Sequence, residues 1–346
     1  VYDIEQKFRA FLWRNLGARI AWVNISYPLK EGGLGFRNIK DINLAFTLKH
    51  FWRFYCCRSS LWSKWIFANY IKEGSIWTMQ VKNHFSWVIK MLLNCRELAR
   101  PFIKHKLGNG KQSHFWLDNW YYGRSLQEEW SSVFSQPGLY AKVNEIYTGN
   151  RWNWPISLIH IPAPDYHLNM NMADEFYWQL SNGNSFKFSA TYEHIRHKKE
   201  DVEWHEIVWF SGNNPWYSFI LWLAILDRLT TKYRVLSWGH HIDTTCVLCH
   251  LACETREHLF FECVFVRRIW RIGLENCQVS RDLLKLQDIL DFIKPSNLSN
   301  NFKAFVIKHL LAASVYFIWI ERNQRVFNGK ARTEEAITSE IKRHIQ

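Results

Sequence analysis

Four soft metal-ligating side chains within 18 residues constrain this chain more than any other feature. Cys246, Cys249, His258 and Cys263 lie in the stretch CVLCHLACETREHLFFEC with the spacing C-x2-C-x8-H-x4-C. Three thiols and an imidazole suit tetrahedral Zn2+, and a C-x2-C pair lets one tight turn present two sulfurs to one ion. With four protein ligands no position is left for water, so the reading is one structural zinc that staples a small domain. Thr255 is placed to cap a helix over 256–271 carrying His258 and Cys263. On an ideal helix those two lie about 140° apart, so they must converge across the helix start rather than share a stripe. Cys253 and His250 stand as rival ligands. Cys56, Cys57, Cys95 and Cys277 sit in apolar helical contexts and read as core. Such clustering points to metal in a reducing compartment rather than to a disulfide framework.

The rest of the chain must fold around that staple. At 346 residues it is long enough for about two domains, and 48% hydrophobic against 22% charged residues excludes wholesale disorder. Most of the 20 Trp, 14 Tyr and 24 Phe must fill the interior, because a soluble surface cannot expose so many rings. The apolar run 310–320 is too short by itself to span a bilayer. No basic-then-apolar segment opens the chain at Val1, so secretion is not indicated.

Periodicity predicts a mainly α chain with two small β-hairpins, an α+β class. A helix with the apolar face Leu44, Ala45, Leu48, Phe51, Trp52 and Tyr55 is capped by Asp41. Ser60 caps 61–71, and 85–100 ends at Pro101. Gly108, Asn109 and Gly110 between 103–107 and 112–118 predict one hairpin. Ser181, Asn182 and Gly183 between 176–180 and 185–188 predict a second. Residues 121–170 hold four of the eight prolines with Gly123, Gly138 and Gly149, and read as an irregular connection with a domain boundary. Helices follow over 190–197, 204–209, 216–228, 231–238 and 302–327.

Net charge is +13, and residues 1–120 hold 19 basic and 7 acidic side chains, so nearly all the excess is in the first third. A one-sided field of that size favours a polyanion such as nucleic acid, or an anionic membrane surface.

Several motifs then agree on one family. Pro28-Leu29-Lys30-Glu31-Gly32-Gly33-Leu34-Gly35-Phe36 precedes Asn43-Leu44-Ala45. Leu107-Gly108-Asn109-Gly110 precedes Phe115-Trp116-Leu117-Asp118-Asn119-Trp120. Trp222-Leu223-Ala224, Arg228-Leu229-Thr230-Thr231, the cysteine cluster with Glu254-Thr255, and Ile318-Trp319-Ile320-Glu321-Arg322-Asn323 complete the series. In order and spacing the chain resembles the C-terminal part of plant LINE (non-LTR) retrotransposon reverse transcriptases, including their zinc-binding domain. The resemblance implies a thumb-like helical region at 1–58, a connector with a basic hairpin at 59–165, the zinc-binding domain at 166–275 and a helical tail at 276–346.

It further implies a non-catalytic nucleic-acid-binding part of the polymerase, with RNA or DNA and an upstream reverse-transcriptase core as partners. No membrane or small-molecule substrate is implied, and residence is intracellular and nuclear. The parent family is an RNA-directed DNA polymerase whose palm needs paired aspartates; the sequence has no Asp-Asp pair, so no catalytic residue is assigned. Thumb and connector elements would grip phosphates through Arg37, Lys40, Lys49, Arg100, Lys104, Lys106 and Lys111, with His105 and His114 expected to be exposed beside them. Arg267, Arg268 and Arg271 offer a second such surface. Phe115, Trp116 and Trp120 are expected in the core. The alternatives are a protein-interaction module docking on a polymerase core, and a degenerate element remnant without function.

Overall fold

The computed structural model describes residues 2–13, 20–56, 59–129, 138–158, 160–181, 185–281, 283, 285–294 and 301–345. The chain divides into two compact units, one of Arg37–His197 and one that joins Tyr2–Phe36 to Lys198–Gln346. These units cut across the four-part division drawn from the sequence. Helix α1 (Tyr2–Trp13) and the glycine turn belong with the later half of the chain.

That turn shows why. Gly33 N donates to Pro28 O, Leu34 N to Ile25 O and Gly35 N to Tyr27 O, folding the segment back on itself. A Cβ on Gly33 would stand 2.0 Å from Tyr27 O, so only glycine fits. Buried Glu31 accepts from Lys199 N, and Trp222 Nε1 donates to Gly32 O at 2.9 Å, fastening the turn to its own unit.

In the 37–197 unit, α2 (Ile39–Cys56) buries Ala45, Leu48, Phe51, Trp52 and Tyr55 as its spacing requires. Asn38 rather than Asp41 is the cap, its Oδ1 accepting from Lys40 N at 2.9 Å. Ser60 caps Leu61–Ile66 as expected, and Ser86 caps α3 (Trp87–Ala99), which ends before Pro101. α2 packs on α3 and on α4 (Phe188–Ile195). Buried Cys95 is core, and burial pushes its thiol up to about 12.

Neither local hairpin forms. β1 (Ile103–Lys106) pairs antiparallel with β2 (Glu175–Trp178) instead, with Lys104 opposite Tyr177 and His105 opposite Phe176. Each expected hairpin thus gives one strand to a single long-range ribbon. The turn at Asn182 and Gly183 lies outside the described residues, as does Cys57. The Gly108–Gly110 loop does a different job: N–H groups of Gly108, Gly110, Gln112 and Ser113 all donate to the Asp174 carboxylate, at 2.8–3.2 Å. This is an anion nest filled by the chain's own side chain. A Cβ on Gly108 would meet Met172 O and Ala173 O at 2.4 Å.

In the other unit, α5 (Pro215–Ile225), α7 (Val264–Asn276), α8 (Leu286–Ile293), α9 (Asn301–Asn328) and α10 (Glu334–Ile345) surround one core, while the short α6 (Lys232–Ser237) buries no side chain. α5 packs on α9, and α7 on α10. α9 is longer than the apolar run inside it, so Phe302–Asn328 is long and apolar enough to cross a membrane. Its Leu310, Leu311, Ala312, Ala313, Val315 and Ile318 are buried in the unit, the pattern of a core helix.

Candidate metal centre and basic surfaces

A two-residue turn presents the first cysteine pair. Cys246 N donates to Ala252 O and His250 N to Cys246 O, while Thr245 and Cys253 form an antiparallel bridge. His250 adopts left-handed backbone, φ +59°, to close the turn. Thr255 caps the next segment as expected, its hydroxyl accepting from His258 N at 3.1 Å.

The continuous helix over 256–271 does not form. A π-turn occupies His258–Glu262, closed by Cys263 N donating to His258 O at 2.8 Å, and Cys263 is extended before α7 begins at Val264. An i→i+5 turn returns residue 263 to the side of residue 258, which the 3.6-residue period forbids. The convergence of the two ligands is therefore achieved by breaking the helix at the ligand itself.

The ligand atoms of Cys246, Cys249, His258 and Cys263 all lie within 4.8 Å of one another, with Cys249 Sγ 3.2 Å from His258 Nε2. A zinc tetrahedron with Zn–S of about 2.3 Å has sulfur–sulfur edges of about 3.8 Å, so the group is of the right size. Neither rival joins it. Cys253 is exposed beside the Thr244 hydroxyl, and His250 is spent on the turn.

The electrostatics fit a cation. A hydrogen bond from the Cys263 thiol, opposed by burial and aided by the N–H groups of Cys249 and Leu248, pulls the Cys246 thiol well below its ordinary range. Cys263 is pushed up because it donates to that sulfur and is itself buried, although N–H groups of Val266 and Phe265 at the start of α7 face it. Two sulfurs so close share one proton; a divalent ion in its place lets both ionise.

A set of charged residues that the spacing alone did not single out braces the turn. Glu254 is fully buried, and its Oε1 accepts from Lys232 N, Arg322 Nε and Arg322 Nη2 at 2.8–3.0 Å. Arg325 Nη1 donates to Val247 O and Leu248 O within the Cys246–Cys249 turn. Buried Glu321 holds both Arg325 and Arg332 at 2.8 Å. Thr231 caps α6, which aligns Lys232 N toward Glu254 and lets Lys232 Nζ reach Thr245 O. Of these residues only Glu321 and Arg322 interrupt an apolar helical face, on α9, whereas Glu254-Thr255 and Arg228–Thr231 lie in loops beside the cysteine turn and the start of α6.

The basic residues separate into surface and interior. Arg37, Lys40, Lys106 and Lys111 are exposed in one unit, and Arg267, Arg268 and Arg271 line the exposed side of α7 in the other. Arg37 lies over the Tyr192 ring, Lys106 meets Glu175 and Arg268 meets Glu334. Lys49 and Lys104 are half-buried, and Lys104 Nζ donates to Gly123 O.

Arg100, expected to grip phosphate at the surface, is instead interior. It is only 7% exposed, paired with Glu97 and Glu128 and stacked 4.5 Å over Trp77, so it serves the fold. The expectation that His105 and His114 are exposed is likewise overturned. His105 touches the Tyr55 and Ser113 hydroxyls, and His114 lies between Asp118 and Lys142. Phe115, Trp116 and Trp120 are core, as expected.

Residues 186–270 match the family model described as zinc-binding in reverse transcriptase, and all four clustered ligands fall inside the match. A reverse-transcriptase-type zinc-binding domain is therefore present. The matched model describes a zinc-binding rather than a catalytic domain. An Arabidopsis thaliana protein named as a ribonuclease H protein is 23% identical over 295 residues, covering 77% of this chain and 46% of that protein. An uncharacterized mitochondrial protein of the same plant is 26% identical over 102 residues, 29% of this chain and 66% of that protein. This chain thus spans about half the length of the first relative. The resemblance read from the motifs is supported where it can be compared: residues 186–270 are a zinc-binding domain of the reverse-transcriptase type, and the two relatives are plant proteins.

Proposed function

We propose that this chain is a non-catalytic, nucleic-acid-binding part of a LINE-type reverse transcriptase, stapled by one structural zinc on Cys246, Cys249, His258 and Cys263. The observation that carries the reading is the closed Cys3His group inside a reverse-transcriptase zinc-binding domain. Four protein ligands and a buried charge network around them suit a structural ion with no open position for a substrate. The exposed Arg37, Lys40, Lys106 and Lys111, and separately Arg267, Arg268 and Arg271, contact phosphates without reading bases. A polymerase core supplies the catalysis, and the complex works in the nucleus.

Anisotropy of a labelled structured RNA, titrated at about 50 and about 200 mM salt, tests the reading, because several phosphate contacts cost orders of magnitude over that range. The expected result is a steep loss of affinity, blunted by Lys106→Gln with Lys111→Gln. No binding at the lower salt overturns it. That result would favour the second reading, docking on a polymerase core, which has its own support in an apolar groove of about 550 Å³ where Phe46, Trp62 and Trp87 stand exposed.

A further inference from the structure

The outward face of the β1–β2 ribbon borders a groove of about 780 Å³ unlike the rest of the basic surface. Strand alternation turns Ile103, His105, Phe176 and Trp178 into the core, leaving Lys104, Lys106 and Tyr177 on the other face, with Tyr177 directly opposite Lys104. Tyr122, Arg124 and Tyr166 complete the lining.

Tyr122 is the telling residue. Arg124 N donates to Tyr121 O at 2.9 Å, and the two central residues have φ +47° at Tyr122 and +79° at Gly123. A tight turn with both central residues left-handed favours Asn-Gly, and a tyrosine at its first position is disfavoured. Its ring meets the Tyr121 ring edge-on at 4.8 Å, yet the residue is still 64% exposed. Lys104 Nζ braces the turn through Gly123 O at 2.6 Å, and the Tyr122 hydroxyl reaches the Asp165 carboxylate. The fold thus holds an aromatic ring in solvent, at a strained position, beside cations.

We propose that this groove binds single-stranded nucleic acid, with bases stacking on Tyr122, Tyr166 and Tyr177 and the backbone running past Lys106 and Arg124. The proposal rests on the nucleic-acid-binding reading and names the strand state of its ligand. Base stacking needs unpaired bases, and any base offers a π-face, so the site discriminates strand state rather than sequence. Glu175 and Asp165 offset part of the local positive charge, so stacking adds to the phosphate contacts of Lys106 and Arg124 at this site.

The test uses the full chain with labelled oligo(U) or oligo(dT) of about 12 nucleotides, and a duplex of the same length. Tyr122→Asn supplies the residue that the turn prefers, and Tyr177→Thr keeps a strand former, so both remove rings without disfavouring the local backbone. Together they are expected to weaken single-strand binding about tenfold or more while duplex binding and thermal stability hold. Tyr122→Phe with Tyr177→Phe is expected to bind like the parent. If single strands bind and the ring-deleted variant binds them equally well, the groove proposal is overturned while the nucleic-acid reading stands. If the parent chain binds neither single strand nor duplex, both fail.

Discussion

Asp118 is the residue on which the interior of the 37–197 unit turns. Its Oδ1 accepts from the Tyr55 hydroxyl and Trp77 Nε1, each at 2.6 Å, and its Oδ2 from His114 N at 2.7 Å. Burial alone would raise its pKa, but the charges of His105 and His114 and the bonds from His114 and Tyr55 outweigh it and hold the carboxyl well below the usual range. A depressed carboxylate contributes stability that is present above its unfolded pKa of about 3.9 and is lost as pH falls through its folded value. Asp118→Asn replaces an acceptor by a donor facing the His114 N–H. Urea unfolding is expected to show a loss of about 2–4 kcal/mol at pH 7, shrinking as the pH is lowered below about 4. An unchanged midpoint at pH 7 would remove Asp118 from this role. The sequence revealed that Phe115, Trp116 and Trp120 fill the core, because large rings have nowhere else to go. It concealed that His105 and His114 are interior, because Tyr55 and Lys142, which enclose them together with nearby Ser113 and Asp118, come from distant parts of the chain.

Among the elements, the helices were legible and the strand pairing was not. Spacing located most of the longer helices within a few residues, since a 3.6-residue period is written locally, but α8 and α10 were not among those read. The glycine-rich turns suggested two hairpins, yet β1 finds its partner in β2 through the intervening segment, and Gly108–Gly110 wraps Asp174 instead. The helix break at Cys263 was foreshadowed only by the angle between the two ligands. The role of α9 also emerges at this scale: it carries Glu321, Arg322 and Arg325 to the cysteine turn. Arg322→Met leaves Glu254 buried without its cation and is expected to destabilise the unit by about 3–5 kcal/mol. Because the pair braces the ligand turn, zinc affinity should also fall about 10- to 100-fold in competition with a chelating dye. Adding Glu254→Gln should recover part of both losses, and strict additivity of the two substitutions would argue against the coupling.

Across the whole molecule, the charge excess is shared. The Arg37–His197 unit holds 19 basic and 11 acidic residues and the other 25 and 20, net +8 and +5, so the steep asymmetry along the sequence is softened once Tyr2–Phe36 joins the later half. Both units therefore carry the positive field that the nucleic-acid reading needs. The staple belongs to the second unit alone, and on it the account rests. The most direct test is native mass spectrometry of the full chain and its variants for bound zinc. The account predicts one zinc per chain, kept by Cys253→Ser and His250→Ala and lost from Cys246→Ser combined with Cys263→Ser. A parent chain that stays metal-free in zinc-replete buffer, or a double variant that keeps its zinc, would contradict it.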